Sequence, residues 1–141
     1  MLNRAKFEKC FEYIAQDYYR NLIFEGLRNT ILIAIIGLMI GLLIGIIIGI
    51  IKVAPKYKWY LRVADKICSF YVTVFRGTPI VVQLLVSYYV LLPMFGIVID
   101  KLIVAIIVFG LNSGAYIAEI IRGGINSVDK GQLEAARALG L

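Results

Sequence analysis

Residues 29–51 carry no charged side chain over 23 consecutive positions, and that run decides what environment the chain can fold in. As an α-helix rising about 1.5 Å per residue it covers roughly 35 Å. A hydrocarbon core of about 30 Å is crossed with some tilt to spare. The remaining composition agrees: 61% of the residues are hydrophobic and only 17% charged, against about 45–50% and about 25% in a soluble domain. The excess is too large for one globular core, and it is clustered. A chain of 141 residues has room for one domain with three spanning helices.

Gly37, Gly41, Gly45 and Gly49 recur every four residues inside the run. Four residues advance a helix by about 400°, so these glycines form a slowly drifting ridge on one face. In lipid, helices associate where small residues let their backbones approach. The ridge has two readings, packing against a neighbouring helix of the same chain or a seam between subunits.

Around this span the chain divides further. Residues 1–28 mix five basic with four acidic side chains and read as an amphipathic extracytoplasmic segment, not a secretory signal. The first span, 29–51, ends at a proline among three lysines (KVAPKYK). Over 61–76 the polar residues Arg62, Asp65, Lys66, Ser69, Thr73 and Arg76 fall at helical spacing, which predicts an amphipathic helix. The sequence Arg76-Gly77-Thr78-Pro79 interrupts it, because proline biases Thr78 away from the helical region and Gly77 permits an unusual backbone. The second span, 79–95, is short and lengthens only by borrowing that amphipathic helix. A turn containing Pro93, Gly96, Asp100 and Lys101 leads to the third span, 102–121. Residues 122–141 form the last segment.

Basic residues orient the spans. Lys52, Lys56, Lys58, Arg62, Lys66 and Arg76 lie at 52–78 against one acid, whereas only Lys101 lies at 93–101. The positive-inside bias places the former connection in the cytoplasm and the latter outside, so the N-terminus is expected outside and the segment 122–141 in the cytoplasm.

Several chemistries are excluded. No histidine is present, so His triads, His relays and His-ligated metals are absent. Cys10 and Cys68 stand too far apart for a metal or redox motif and read as packing residues. No G-x-x-x-x-G-K-[ST] loop, carboxylate pair or nucleophile–base arrangement occurs. The net charge of +6 reports orientation across a bilayer, not nucleic acid. No catalytic residue, metal or cofactor is expected. The polar side chains Asn112, Ser113 and Tyr116 in the third span face protein or water at membrane depth, and helix–helix hydrogen bonding explains them as well as a pathway does. Glu119 and Arg122, at i and i+3, read as an interfacial ion pair. Asp129 followed by Gln132 makes a capping box for a short helix over about 130–139, with Gly140 suited to its end. Such a helix fits a groove on a partner or forms a solvated tail.

Glu134-Ala135-Ala136-x-x-x-Gly140 resembles the first half of the EAA motif of ABC importer membrane subunits. Phe75-Arg76-Gly77-Thr78-Pro79 with Val82-Gln83-Leu84 looks like the polar amino acid branch of that family. Gly114-Ala115-Tyr116-x-Ala118-Glu119-x-x-Arg122-Gly123-Gly124-Ile125 and Gly131-Gln132 fit the same branch. The resemblance covers residues from about 25 to 141. It implies an all-α polytopic membrane protein of the type I importer permease fold, in a bacterial plasma membrane. Its implied partners are a second permease subunit, two ATPase subunits that bind the ATP, and an extracellular or periplasmic amino-acid-binding protein. It also implies that Glu134, Ala135, Ala136 and Gly140 dock the ATPase, while Arg76, Thr78, Asn112, Ser113 and Tyr116 become candidates for the pathway. Asp129 stands where the family commonly has proline. Family members continue with the rest of the EAA loop and further spans, so the chain reads as a fragment or a truncated frame. The competing readings are a small oligomerising membrane protein, a membrane anchor and a non-functional truncated permease.

Overall fold

A computed structural model describes residues 17–140 of the chain. Residues 1–16, with Cys10 and the start of the expected extracytoplasmic segment, and Leu141 lie outside the described residues. The fold is helical: α1 (Asp17–Val53), α2 (Trp59–Gly77), α3 (Ile80–Met94), α4 (Lys101–Asn126) and α5 (Lys130–Ala138).

Position 28, expected as a boundary, falls inside α1. No proline interrupts residues 17–28, and Arg20 pairs with Asp17 at 2.7 Å in the first turn. Thr30 Oγ1 donates to the Gly26 carbonyl at 2.8 Å, and the helix passes through. Its 37 residues reach about 55 Å, well beyond a hydrocarbon core.

α1 and α4 run parallel, in contact along most of their length. Each ridge glycine meets the residue 72 positions further on: Gly37 faces Phe109, Gly41 Ser113, Gly45 Ile117 and Gly49 Ile121. Gly110 and Gly114 answer from α4, where an added Cβ would stand 2.8 Å and 3.0 Å from the Cγ2 atoms of Ile40 and Ile44. The ridge is therefore filled by the chain's own third long helix. Each glycine leaves room for the facing side chain of the other helix, so the two backbones gain dispersion contact that bulkier residues would prevent.

α2 crosses α4 on another face. Val72, Ala115 and Ala118 are buried there, with Ile48, Tyr71 and Phe75 packed around them. The Tyr71 hydroxyl donates to the Leu111 carbonyl, and its ring lies 4.8 Å from that of Phe75. The opposite stripe of α2, with Val63, Ile67, Phe70 and Val74, is exposed on this chain.

Between α2 and α3 the chain bends by 105°. Thr78 is extended (φ −117°, ψ 140°), as the residue before a proline should be. Gly77 differs from expectation: it stays helical with no positive φ, and nothing crowds it. The bend needs the proline and not the glycine. A second irregularity, the π-helical turn Ser87–Leu91 in α3, precedes Pro93. The ring of Pro93 crowds the carbonyl four residues back, and a wider turn relieves that crowding.

Candidate functional site

The elbow between α2 and α3 sets the first part of the site. In an unbroken helix the Phe75 carbonyl would accept from the N–H of residue 79, but Pro79 has none. Two side-chain amides take its place: Gln83 Nε2 donates to the Phe75 carbonyl at 2.9 Å and Asn112 Nδ2 at 3.2 Å. Gln83 Nε2 also reaches the Thr78 carbonyl (3.0 Å) and Thr78 Oγ1 (2.8 Å), while Gln83 Oε1 accepts from Asn112 Nδ2 at 3.2 Å. Thr78 Oγ1 in turn donates to the Val74 carbonyl at 2.8 Å. Asn112 stands about 16 Å along α4 from Lys101 and about 15 Å from Arg122, so the elbow sits at mid-span. Water is scarce at that depth, and an unmet carbonyl there costs several kcal/mol.

The shared acceptor has a measurable consequence. Gln83→Leu and Asn112→Leu should each destabilise the helical bundle by about 1–2 kcal/mol. Together they should cost more than the sum. Removing both counts their mutual bond only once, a saving of about 1 kcal/mol, but deprives the Phe75 carbonyl of its last donor, which costs more in hydrocarbon. Denaturant titration in detergent reads this; a double-variant cost below the sum, which the mutual bond alone would give, would mean that the amides do not share the carbonyl.

The five pathway candidates are not gathered into one site. Thr78 and Asn112 meet through Gln83, beside a hollow of about 250 Å³ in the crook of the elbow lined also by Val82 and Ser87. Arg76 stacks over the Tyr116 ring at 5.3 Å. Ser113 lies apart, against Gly41, where it lines a separate hollow with Thr30 and Phe109. Gln83 entered the sequence reading only as part of a motif. Its signal was being the one polar residue in the apolar run IVVQLLV, four positions after Pro79.

An ionic cluster forms the second part. Glu119 Oε1 accepts from Arg122 Nε at 2.9 Å and from its Nη2, and Glu119 Oε2 accepts from Lys52 Nζ at 3.1 Å. Arg76 Nη1 approaches Glu119 Oε2 to 3.9 Å. The expected pair is thus part of a four-residue cluster joining the end of α1, the end of α2 and α4. Nearby, Lys56 pairs with Asp65 at 2.7 Å and pins the α1–α2 connection.

The third part is α5. Asp129 is its N-cap, but its side chain accepts from the Gly131 N–H at 2.8 Å, while the Gln132 N–H, the donor a capping box would use, goes to the Asp129 backbone carbonyl at 3.1 Å. Gly140 ends it with φ +79°, a conformation suited to glycine. Glu134 and Ala135 are exposed and Ala136 is half-buried. Residues 127–129 alone separate α5 from α4. Ser127 donates to the Gly123 carbonyl from its N–H at 3.0 Å and to the Gly124 carbonyl from Oγ at 2.7 Å. The connection is short and tied.

Long apolar helices, a seam of small residues and a polar elbow at mid-span define an integral membrane protein of packed helices. The chain belongs to the family of binding-protein-dependent transport system inner membrane components, which it matches over residues 41–141. It is 44% identical to the arginine transport system permease protein ArtQ of Bacillus subtilis (strain 168), over 84% of this chain and 52% of that one. It is 40% identical to the glutamine transport system permease protein GlnP of Escherichia coli (strain K12), over 85% of this chain and 53% of that one. A chain in the crystal structure of an amino acid ABC transporter with histidines shares the fold, with a TM-score of 0.77 and 37% identity, over 92% of this chain and 57% of that one. The chain spans about half the length of the curated relatives it matches.

Proposed function

We propose that this chain forms part of the translocation pathway of an ATP-driven importer for polar amino acids, and that α5 docks the ATPase. The observation that carries the reading is a capped helix of small residues projecting from the bundle, joined to α4 by a short hydrogen-bonded turn. A push on such a helix passes into α4 instead of being lost in a loose linker. Glu134, Ala135, Ala136 and Gly140 are the docking residues; exposed Leu139 and Val128 add apolar surface beside them. Arg76, Thr78, Asn112 and Tyr116 line or position the pathway around the elbow, with Ser113 behind it. The chain itself catalyses nothing. ATP binds a separate ATPase, a second permease subunit completes the pathway, and a solute-binding protein delivers the amino acid from outside. The names of the relatives support polar amino acids as the substrate class. The rival reading as a self-associating membrane protein loses its motive, because the glycine ridge is already occupied by α4.

The reading places three spans in a bacterial plasma membrane. α1 and α4 are parallel, so an odd number of crossings must separate them, and the bent pair α2–α3 supplies one. The basic residues Lys52, Lys56, Lys58, Arg62 and Lys66 favour the α1–α2 connection in the cytoplasm and the N-terminus outside. Trp59 and Tyr60, edge to face at 6.5 Å, suit the interface there. With Cys10 and Cys68 changed to serine, a cysteine at Gly96 should react with an impermeant thiol reagent from outside, and one at Lys58 should not. The reverse pattern would overturn the orientation and with it ATPase docking. The function itself is tested by isolating the native protein that carries this sequence and asking whether an ATPase copurifies. Its ATP hydrolysis in proteoliposomes should then rise on addition of the amino-acid-loaded binding protein.

A further inference from the structure

We propose that Arg76, held by Glu119 and Tyr116, is a releasable latch that keeps the second span bent and yields when the inner end of α4 moves. The latch rests on the proposed reading of α5 for what drives it, but not for its existence. Glu119 is the sole acid within ion-pair distance of three cations, Lys52, Arg76 and Arg122, among the described residues. The three are not equally held. Arg122 and Lys52 make direct hydrogen bonds to the carboxylate, and the Lys52 side chain is only 11% exposed. Arg76 stands at 3.9 Å, beyond hydrogen-bond distance; its side chain is as exposed as that of Arg122, so the distance is what sets it apart. Its remaining hold is the stack on Tyr116, a contact that tolerates sliding.

Position makes this looseness consequential. Arg76 is one residue before the end of α2, directly ahead of the elbow. The elbow therefore attaches to α4 at two depths. At mid-span Asn112 binds Gln83 and the Phe75 carbonyl through direct hydrogen bonds of 3.2 Å. Seven residues further along, about 10 Å toward the end of α4, Arg76 holds on only by a long ion pair and a stacked ring. A displacement of α4 entering from α5 reaches the lower attachment first. The lower attachment is also the weaker. Release of Arg76 leaves the amide pair as a pivot and lets the angle between α2 and α3 change. Lys52 and Arg122 keep the charge of the half-buried Glu119 compensated throughout, so release does not strand its carboxylate.

The test places spin labels at Ile67 and Tyr89, exposed positions on the two arms of the elbow, in the native-length permease in nanodiscs. Without ATPase or nucleotide, the unsubstituted protein should give one short inter-label distance. Arg76→Gln should shift it to longer values, and Arg76→Lys should fall between, keeping the charge but losing the planar stack. Tyr116→Leu removes the stacking surface, leaves every charge in place and should produce the same direction of shift. It also decides the matter if Arg76→Gln fails to assemble. Distances unchanged from the unsubstituted protein in these variants overturn the latch. Because these resting distances need no ATPase, failure of α5 to dock leaves them readable, whereas docking with unchanged distances removes the latch alone.

Discussion

Ala136→Trp is expected to abolish association of the ATPase while leaving insertion of the helices intact. Ala136 sits in the second half of α5, half-buried on this chain, with Glu134 and Ala135 exposed beside it. If the helix enters a cleft, small residues are required because the walls lie close to its backbone, and an indole does not fit. The residue lies beyond the end of α4, so the hydrophobic term that drives insertion is untouched. Glu134→Ala should weaken association less, by about 1–3 kcal/mol for a charge-assisted hydrogen bond buried at an interface. A solvated tail would tolerate both changes within about 0.5 kcal/mol. Pull-down of the ATPase, alongside stimulated ATP hydrolysis in proteoliposomes, separates the cases. Normal binding and coupling in Ala136→Trp would sink ATPase docking through α5.

Gly41→Leu is the other change with a large expected effect. A Cβ at Gly41 would stand 2.6 Å from Ser113 Cβ and 3.0 Å from both the Gly110 carbonyl oxygen and the Gly114 nitrogen. Two of these three are backbone atoms, so no rotamer change relieves the overlap; α1 and α4 must separate. Gly45→Leu meets Ile117 Cβ and Cγ2 at 2.6 Å and should behave alike. Overpacking of this kind costs about 1–3 kcal/mol, and more where the seam opens over several turns. Insertion should be unaffected, since leucine only adds hydrophobicity. Gly26 provides the control: nothing lies within 4 Å of its Cβ position. Gly26→Leu should be neutral or slightly stabilising, because glycine weakens a helix by roughly 0.5–1 kcal/mol. Equal thermal stability in detergent for Gly41→Leu and Gly26→Leu would mean that the seam is not closed in the membrane.

What could be read from the sequence alone was local. The uncharged run at 29–51 and the helical spacing of polar residues at 61–76 depend only on neighbours along the chain. So do the break before Pro79, the cap at Asp129 and the turn at Gly140, and each has its counterpart in a helix, bend or cap of the structure. The motif residues within 41–141 likewise sufficed for the family. Tertiary structure decided the rest, because it turns on which distant residue fills a given vacancy. Pro79 guarantees that the Phe75 carbonyl lacks its usual donor, but only the placement of α4 makes Asn112, 37 positions away, one of the replacements. The glycine ridge announces a close neighbour without saying which; the parallel register with α4 names it. Glu119 and Arg122 are visible as a pair one turn apart, whereas Lys52, 67 positions from Glu119, joins them only once α1 lies beside α4. Ser113 shares a polar stretch with Asn112 and Tyr116 in the sequence, yet successive residues of a helix point about 100° apart, and the fold turns it to α1. The boundary at residue 28 was drawn where charge stops, but a helix ends where its hydrogen-bond ladder is broken, and nothing between Asp17 and Val53 breaks it.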